Sequence, residues 1–391
     1  MTSFQHLEPP LRVHCGAQAL RSVAGELERA GVRKAVVVCG TTLGRAGSGL
    51  QEVVQALGER HAGTWTGVRA HSPLPSVLEG ARFLRESGAD AVVAVGGGSA
   101  IVTARAASIV LAEGEDVHQL CTRKLPDGRF SSPRLLAPKL PQLVVPTTPT
   151  TACVKAGSAV FDPAGDQRLA LFDPKTRAQA VFLHPGLASA APQALVLGAS
   201  LNGLAMACEG LQSPSAEPLA DALLLQALRL YRDHLPALAS ADSQDVRLQL
   251  LLASVLAGKG TDYASGGLAS VLGHAIGARC HVENGVAQAI VLPHAMRFNA
   301  ASTRAGTARI GEVFLGRPDC AQEDVIAALS AFLRGVGVPA GLRDIGVAGA
   351  QLQPLAAAAM QDWFLSRNPR PVESQHDVLG VLQAAWPGEP I

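Results

Sequence analysis

Asn202 and Met206 lie four positions apart in "SLNGLAMACEGLQ" (200–212). On a helix this spacing stacks two side chains on one face, and it is how helices present paired metal ligands. Neither residue suits a hard divalent ion, because an amide oxygen is a weak neutral ligand and a thioether prefers soft ions. From these residues alone the pair reads as part of a buried helix whose Met fills a gap. Two other stretches carry more chemistry. "VAVGGGSA" sets Gly96, Gly97, Gly98 and Ser99 between a hydrophobic strand and a helix. Glycine lets backbone N–H groups approach a pyrophosphate closely, and the helix amino terminus adds partial positive charge. A bare GGGS also makes a tight turn, but between strand and helix it reads as a phosphate-binding loop, without the GxGxxG spacing. "VVPTTPTTACV" (144–154) offers Thr147, Thr148, Thr150 and Thr151 at the end of another strand. α/β sheets bind ligands at that end; the alternative is a turn held by its own side-chain hydrogen bonds.

The elements that must position these loops follow from periodicity. "RKAVVVCG" (33–40), "DAVVAVGGGS" (90–99) and "PQLVVPTT" (141–148) read as strands, and 76–88 and 100–114 as helices, which predicts parallel βαβ units. Beyond about 190 the pattern turns to long Ala/Leu helices, expected near 193–212, 217–231, 244–258, 263–278, 285–300, 322–335 and 350–365. Pro and Gly cluster between the two regimes in "FLHPGLASAAP" (182–192). The stretch 120–138, with three Pro and mixed charge, reads as a surface excursion. The fold class expected is an α/β domain with a parallel, dinucleotide-binding sheet, followed by an all-α domain.

Composition narrows the partners. The chain has 391 residues, 48% of them hydrophobic, 17% charged and 4% aromatic, with a formal net charge of +1. Two or three cores are affordable at that length, while nothing in the charge gathers nucleic acid or anionic membrane. The seven Cys are scattered without a CxxC pair, as a reducing compartment permits. With no signal-peptide pattern at the amino terminus, the expectation is a cytoplasmic protein acting on a small molecule.

Taken in order, "GADAVVAVGGGSAI", "VVPTT", the all-helical second half, "LGHAIGA", "NGVAQAIVLPHAMRFNA", "RIGEVF" and "NPRPV" resemble the iron-containing alcohol dehydrogenase family over about 12–387. The resemblance implies a dehydroquinate synthase-like architecture, with an NAD(P)-binding domain at 1–188 and a helical catalytic domain at 189–391, and a homodimer. It places the four metal ligands of metal-dependent members at Asn202, Met206, His274 and Asn284. One His with two Asn and a Met supplies no anionic ligand, so tight iron or zinc binding is expected to be lost and no metal is expected. Val102 and Arg105 stand where the family pattern has Asp and Lys, and Cys153 and Val154 where Ser and Glu are usual. The acidic residue that often holds the NAD ribose is Gly40, and Arg45 is near enough in sequence to accept a 2′-phosphate, so the cofactor expected is NADPH or NADH. Arg168 falls where the family often has a cofactor-contacting Lys. These departures resemble the maleylacetate reductase branch, which works without metal, although that branch keeps His where this chain has Met206 and Asn284.

Metal-free reduction of a carbonyl, or of a double bond conjugated to one, needs a proton donor and a stabiliser of developing charge. His274 is the first candidate and His281, in "RCHVENG", the second. Arg279 could anchor a substrate carboxylate, and Asn202, Met206 and Asn284 are expected to line the substrate site. His294 reads as structural. The function expected is a metal-independent NAD(P)H-dependent reductase of a small oxo acid, ketone, aldehyde or enone. A redox-inactive or non-redox member using the nucleotide site, and a metal-dependent alcohol dehydrogenase, are the alternatives.

Overall fold

A computed structural model describes residues 3–45, 47–125, 127 and 129–387. The chain divides into two compact units, one of residues Glu8–Pro192 and one of Gln193–Ile391 joined by the stretch ending at Leu7.

The first unit opens with β1 (Arg12–Cys15), α1 (Val23–Arg29), β2 (Ala35–Gly40), α2 (Leu50–Leu57), β3 (His61–Val68) and α3 (Leu74–Glu86). It continues with β4 (Ala91–Gly96), α4 (Gly98–Glu113), α5 (Val117–Leu120) and the short strands β5 (Arg123–Lys124) and β6 (Phe130–Ser131). The unit ends with β7 (Gln142–Pro146), β8 (Gly157–Asp162), β9 (Gln167–Phe172), β10 (Ala178–Leu183) and α6 (Pro185–Ala188). Six strands form one sheet in the order β1-β10-β7-β4-β2-β3, every pair parallel. Central strands read as unbroken apolar runs because both faces are covered. β2 and β4 are buried almost throughout, and Val37, Val93, Val145 and Phe182 join Leu27 and Val53 in one core. β1, β3 and the antiparallel β8–β9 hairpin were not among the expected strands, while β10 is the strand that the Pro/Gly cluster at 182–192 follows. β3 is half-buried along its whole length, and β8 and β9 alternate between buried and exposed residues, so neither shows the apolar run that marks a central strand. In the 120–138 stretch β5 and β6 pair as a small antiparallel ladder; Pro126 and Gly128 lie outside the described residues.

The second unit runs α7 (Gln193–Gln212), α8 (Pro218–Ser240), α9 (Gln244–Ala264), α10 (Leu268–Cys280) and α11 (Asn284–Asn299). It closes with α12 (Arg304–Phe314), α13 (Gln322–Gly335), α14 (Leu352–Ala359) and α15 (Gln375–Ala385). α12 and α15 were not anticipated, and the helix expected over 350–365 is instead α14 followed by a separate 3-10 turn at Trp363–Arg367. Asp362 breaks the run there, since its side chain accepts from Phe364 N at 2.9 Å and so competes with the helix ladder. α7 has the length and apolarity to cross a membrane, at a mean hydropathy of 1.4, but 72% of that window is buried inside the unit. A helix apolar all round is a core helix in such a setting.

Glycines let three helices of this unit touch backbone to backbone. A Cβ on Gly285 of α11 would collide with the Gly198 carbonyl of α7 and come within 2.9 Å of Asn202 N. A Cβ on Gly273 of α10 would press on Gln288 Cβ at 3.0 Å and the Asn284 carbonyl at 3.1 Å. Gly285→Ala is therefore expected to push α7 and α11 apart and cost about 1–3 kcal/mol, seen as a fall in Tm of several degrees on thermal unfolding. An unchanged Tm would contradict that packing.

Candidate functional site

The glycine and threonine loops meet at the carboxyl ends of adjacent strands. β4 pairs with β7 so that Gly96 lies opposite Pro146, and Thr147 N donates to Gly96 O at 3.0 Å. Gly96 takes a φ of +140°, which a side chain would resist. A Cβ on Gly97 would sit 3.0 Å from Thr148 Oγ1, and one on Gly98 3.1 Å from Thr150 Oγ1. The loops thus leave room only for backbone, the cradle a pyrophosphate needs at the amino end of α4. Gly96, Gly97, Gly98, Ser99, Thr147, Thr148 and Thr151 are all brought into this region, and Gly40 ends the neighbouring strand β2. Arg168 lies on the β8–β9 hairpin opposite Phe161, off the main sheet.

Several of these groups also hold the loops in place. Ser99 Oγ accepts from His71 N at 3.2 Å, and Ser72 Oγ donates to Ser99 O at 3.1 Å. His71 and Ser72 both have positive φ, 61° and 49°, a backbone strain that functional loops tolerate when their surroundings over-determine them. Thr150 serves the turn itself, accepting from Ala152 N at 3.3 Å. Arg105, fully buried in α4, donates to Ala152 O and to Gly157 O, each at 2.6 Å, and Arg177 Nη1 donates to Val154 O at 3.1 Å. Guanidinium forks bind carbonyl pairs that a Lys would reach with one point charge. Cys153 is fully buried in this loop.

In the helical unit Asn202, Gln288, Ser270 and Glu209 form one hydrogen-bonded chain. Asn202 Nδ2 donates to Gln288 Oε1 (2.6 Å), Gln288 Nε2 to Ser270 Oγ (2.7 Å), and Ser270 Oγ to Glu209 Oε2 (2.5 Å). Glu209 Oε1 also accepts from Ala269 N (2.7 Å) and Ser270 N (3.2 Å), at the amino terminus of α10. Burial pushes the Glu209 carboxyl up, and the hydrogen bonds from Ser270, Gly267 and Ala269 pull it partly back. As the acceptor that ends the chain, the carboxylate makes Ser270 a donor toward it and an acceptor from Gln288. Gln288 must then present its oxygen to Asn202, so the orientation of both amides follows from Glu209.

Met206 is buried one turn along from Asn202. Asn284 is the first residue of α11, and its Oδ1 fills the space beside Gly277 where a Cβ would be. That oxygen is buried and has no hydrogen-bond partner among the described residues. His274 Nδ1 is 2.8 Å from Asp362 Oδ2, with both side chains mostly buried. Its ring lies beside Phe364 and Trp363, with centroids at 5.7 and 6.4 Å. Arg279 is exposed in the last turn of α10, and His281 is the exposed residue that ends it, with a left-handed φ of 55°. Its placement is that of a chain-turning residue.

This donor set does not fit the iron of the metal-dependent pattern. It has one imidazole, a thioether and two amides, one of which turns its oxygen into the α10–α11 seam. Among the described residues no group of three or more His, Cys, Asp and Glu could hold a metal ion. Asp362, Gln288, Ser270 and Glu209 were missed by sequence reasoning. The only available signal was the short run of polar residues inside otherwise apolar helices, together with the Asp just before an aromatic pair.

Burial pushes the His294 imidazole down to about 4, with the Arg297 charge adding to the effect. The unfolded chain, at about 6.5, then binds more protons than the folded one between those values. Stability is therefore full above pH 6.5 and falls as the pH drops toward 4. His294→Gln should remove about 1–2 kcal/mol of the loss between neutral pH and pH 5, checked by urea unfolding at both. Equal acid sensitivity in both proteins would show that the ring is not held neutral.

With the geometry in hand, comparison with known proteins is direct. Residues 10–185 match the family model "Iron-containing alcohol dehydrogenase", and residues 197–386 match "Fe-containing alcohol dehydrogenase family, C-terminal". Lactaldehyde reductase of Escherichia coli (strain K12) is 30% identical over 381 residues, covering 95% of this chain and 97% of its own. Maleylacetate reductase 1 of Cupriavidus pinatubonensis is 26% identical, covering 97% and 95%. The crystal structure of 1,3-propanediol oxidoreductase superposes with a TM-score of 0.88 at 25% identity, covering 98% of this chain and 100% of that one.

Proposed function

Since the chain belongs to the iron-containing alcohol dehydrogenase family and is an oxidoreductase, we propose that it is an NAD(P)H-dependent reductase of a small carbonyl compound that works without a resident metal. The observation that carries this reading is the donor set at Asn202, Met206, His274 and Asn284, set on a helical frame whose glycine contacts are closed. A nucleotide site built as a backbone cradle supports the reductive half. The residues fit a dinucleotide: Gly96–Gly98 and the amino end of α4 would hold its pyrophosphate, with Thr147, Thr148 and Thr151 beside them. A bound reduced nicotinamide supplies the hydride.

The remaining work falls to the chain's own residues. Hydride addition to a carbonyl carbon leaves negative charge on its oxygen, which must be met by a proton. A protonated His274 donates that proton and returns to neutral imidazole, leaving an alcohol and an oxidised nucleotide. Asn202, fixed by Gln288, offers its carbonyl oxygen to a hydrogen-bond donor on the substrate. Met206 supplies an adaptable apolar wall. Small oxo acids, ketones, aldehydes and conjugated enones are the substrate classes that meet these features. Among the described residues no disulfide links any of the seven Cys, which suits a reducing compartment.

The test is NADPH binding by fluorescence titration, then NADPH consumption with a panel of these carbonyl compounds, before and after dialysis against a chelator. The expected result is saturable binding and turnover that survives the chelator. Turnover abolished by the chelator and restored by Fe(II) would overturn the metal-free reading. Binding without any turnover would favour a non-redox use of the site.

A further inference from the structure

We propose that Asp362 is a positioning residue for His274, holding the proton on Nδ1 and so leaving Nε2 as the atom that exchanges a proton with substrate. The inference rests on the reading of His274 given above. Its geometry is independent of that reading.

Both oxygens of Asp362 have assigned tasks. Oδ1 accepts from Phe364 N at 2.9 Å, which makes Asp362 the amino-terminal cap of the 3-10 turn Trp363–Arg367. Oδ2 lies 2.8 Å from His274 Nδ1. The side chains are 10% and 15% exposed, so water competes little for the bond. A carboxylate without a proton only accepts, so the shared proton sits on the imidazole nitrogen. Phe364 and Trp363, contributed by the same turn, flank the ring, so three consecutive residues set its orientation and its tautomer.

The chemical consequence is a division of labour between the two ring nitrogens. With Nδ1–H held by Asp362, the neutral ring has a bare Nε2 and the protonated ring carries its exchangeable proton there. When that proton passes to the developing alkoxide, the N–H bond at Nε2 breaks, an O–H bond forms, and the ring is left in the tautomer Asp362 already favours. No rotation or second proton shift is needed. The same pair has a second consequence. A ring nitrogen tied to a carboxylate leaves one nitrogen for chemistry, so His274 acts as an acid through its Nε2 edge alone.

The experiment uses full-length protein labelled with 15N-histidine, with NMR reporting which nitrogen of His274 carries the proton at a pH where the ring is neutral; His274→Gln assigns the signal. Wild type is expected to show Nδ1–H. Asp362→Asn keeps an acceptor for Phe364 N but turns an NH2 group toward the ring, and is expected to switch the tautomer to Nε2–H. If the panel above has identified a substrate, the same variant should lose about 10²–10⁴-fold in kcat while NADPH affinity is unchanged, a range typical of removing general acid catalysis. Asp362→Glu should retain Nδ1–H. Nε2–H in the wild type overturns the proposal even if the Asn variant fails to fold, as does an unchanged tautomer in a folded Asn variant. Because the tautomer is read without substrate, a protein with no reductase activity but an Asp362-dependent Nδ1–H would sink the functional reading and leave the positioning role standing.

Discussion

The carboxylate of Glu209, buried against the amino terminus of α10, is the interaction on which the helical unit's chemistry depends. A helix start leaves unpaired N–H groups and partial positive charge, and a carboxylate brought there answers both. Glu209 takes Ala269 N and Ser270 N, while Asn368 Oδ1 takes Leu268 N at 3.1 Å. α10 is thereby fixed at its first turn, and His274, one turn further on, inherits that placement. Removing such a charge acceptor leaves several buried donors unsatisfied, which costs far more than the net worth of any single bond. The same carboxylate sets the polarity of the chain through Ser270 and Gln288 to Asn202.

The α/β unit solves a parallel problem by a different route. Its threonine loop holds only the short 3-10 turn Thr151–Val154 and is fixed by side chains that reach its carbonyls. Arg105 from α4 and Arg177 from the segment before β10 donate to Ala152 O, Gly157 O and Val154 O. The glycine loop needs no such support, because β4 and α4 hold both of its ends. What reaches the ligand side is backbone and hydroxyl, which suits a polyanion recognised by N–H groups rather than by formal charge.

Much of this was legible in the sequence, and the parts that were not share a cause. The buried strands β2, β4 and β7 announce themselves as apolar runs ending in Gly or Thr, although β4 and β7 stop at Gly96 and Pro146 and α4 begins at Gly98, inside the stretch read as strand. β3, β8 and β9 escape because partly exposed strands lack that run, and α12 and α15 because each runs only 11 residues. At the candidate site, Asn202, Met206, His274 and Asn284 were proposed from the ordered motifs. Their partners were not. Asp362 lies 88 positions from His274 and Gln288 86 from Asn202, and nothing local in sequence marks a long-range hydrogen bond between two helices. Glycine was similarly silent: at Gly277 and Gly285 a neighbour's atoms occupy the place of a side chain, and at Gly273 they press close on it.

The central claim is that this chain keeps the frame of a metal site and has lost the metal's ligands. Calorimetric titration of Zn(II) into the apo-protein tests it most directly, using the wild type beside the variant carrying Asn202→Asp, Met206→His and Asn284→His. The account predicts no stoichiometric binding to the wild type and about one tightly bound ion per chain in the variant, where an anionic ligand and three imidazoles converge. Tight binding of about one ion per chain by the wild type itself would contradict it.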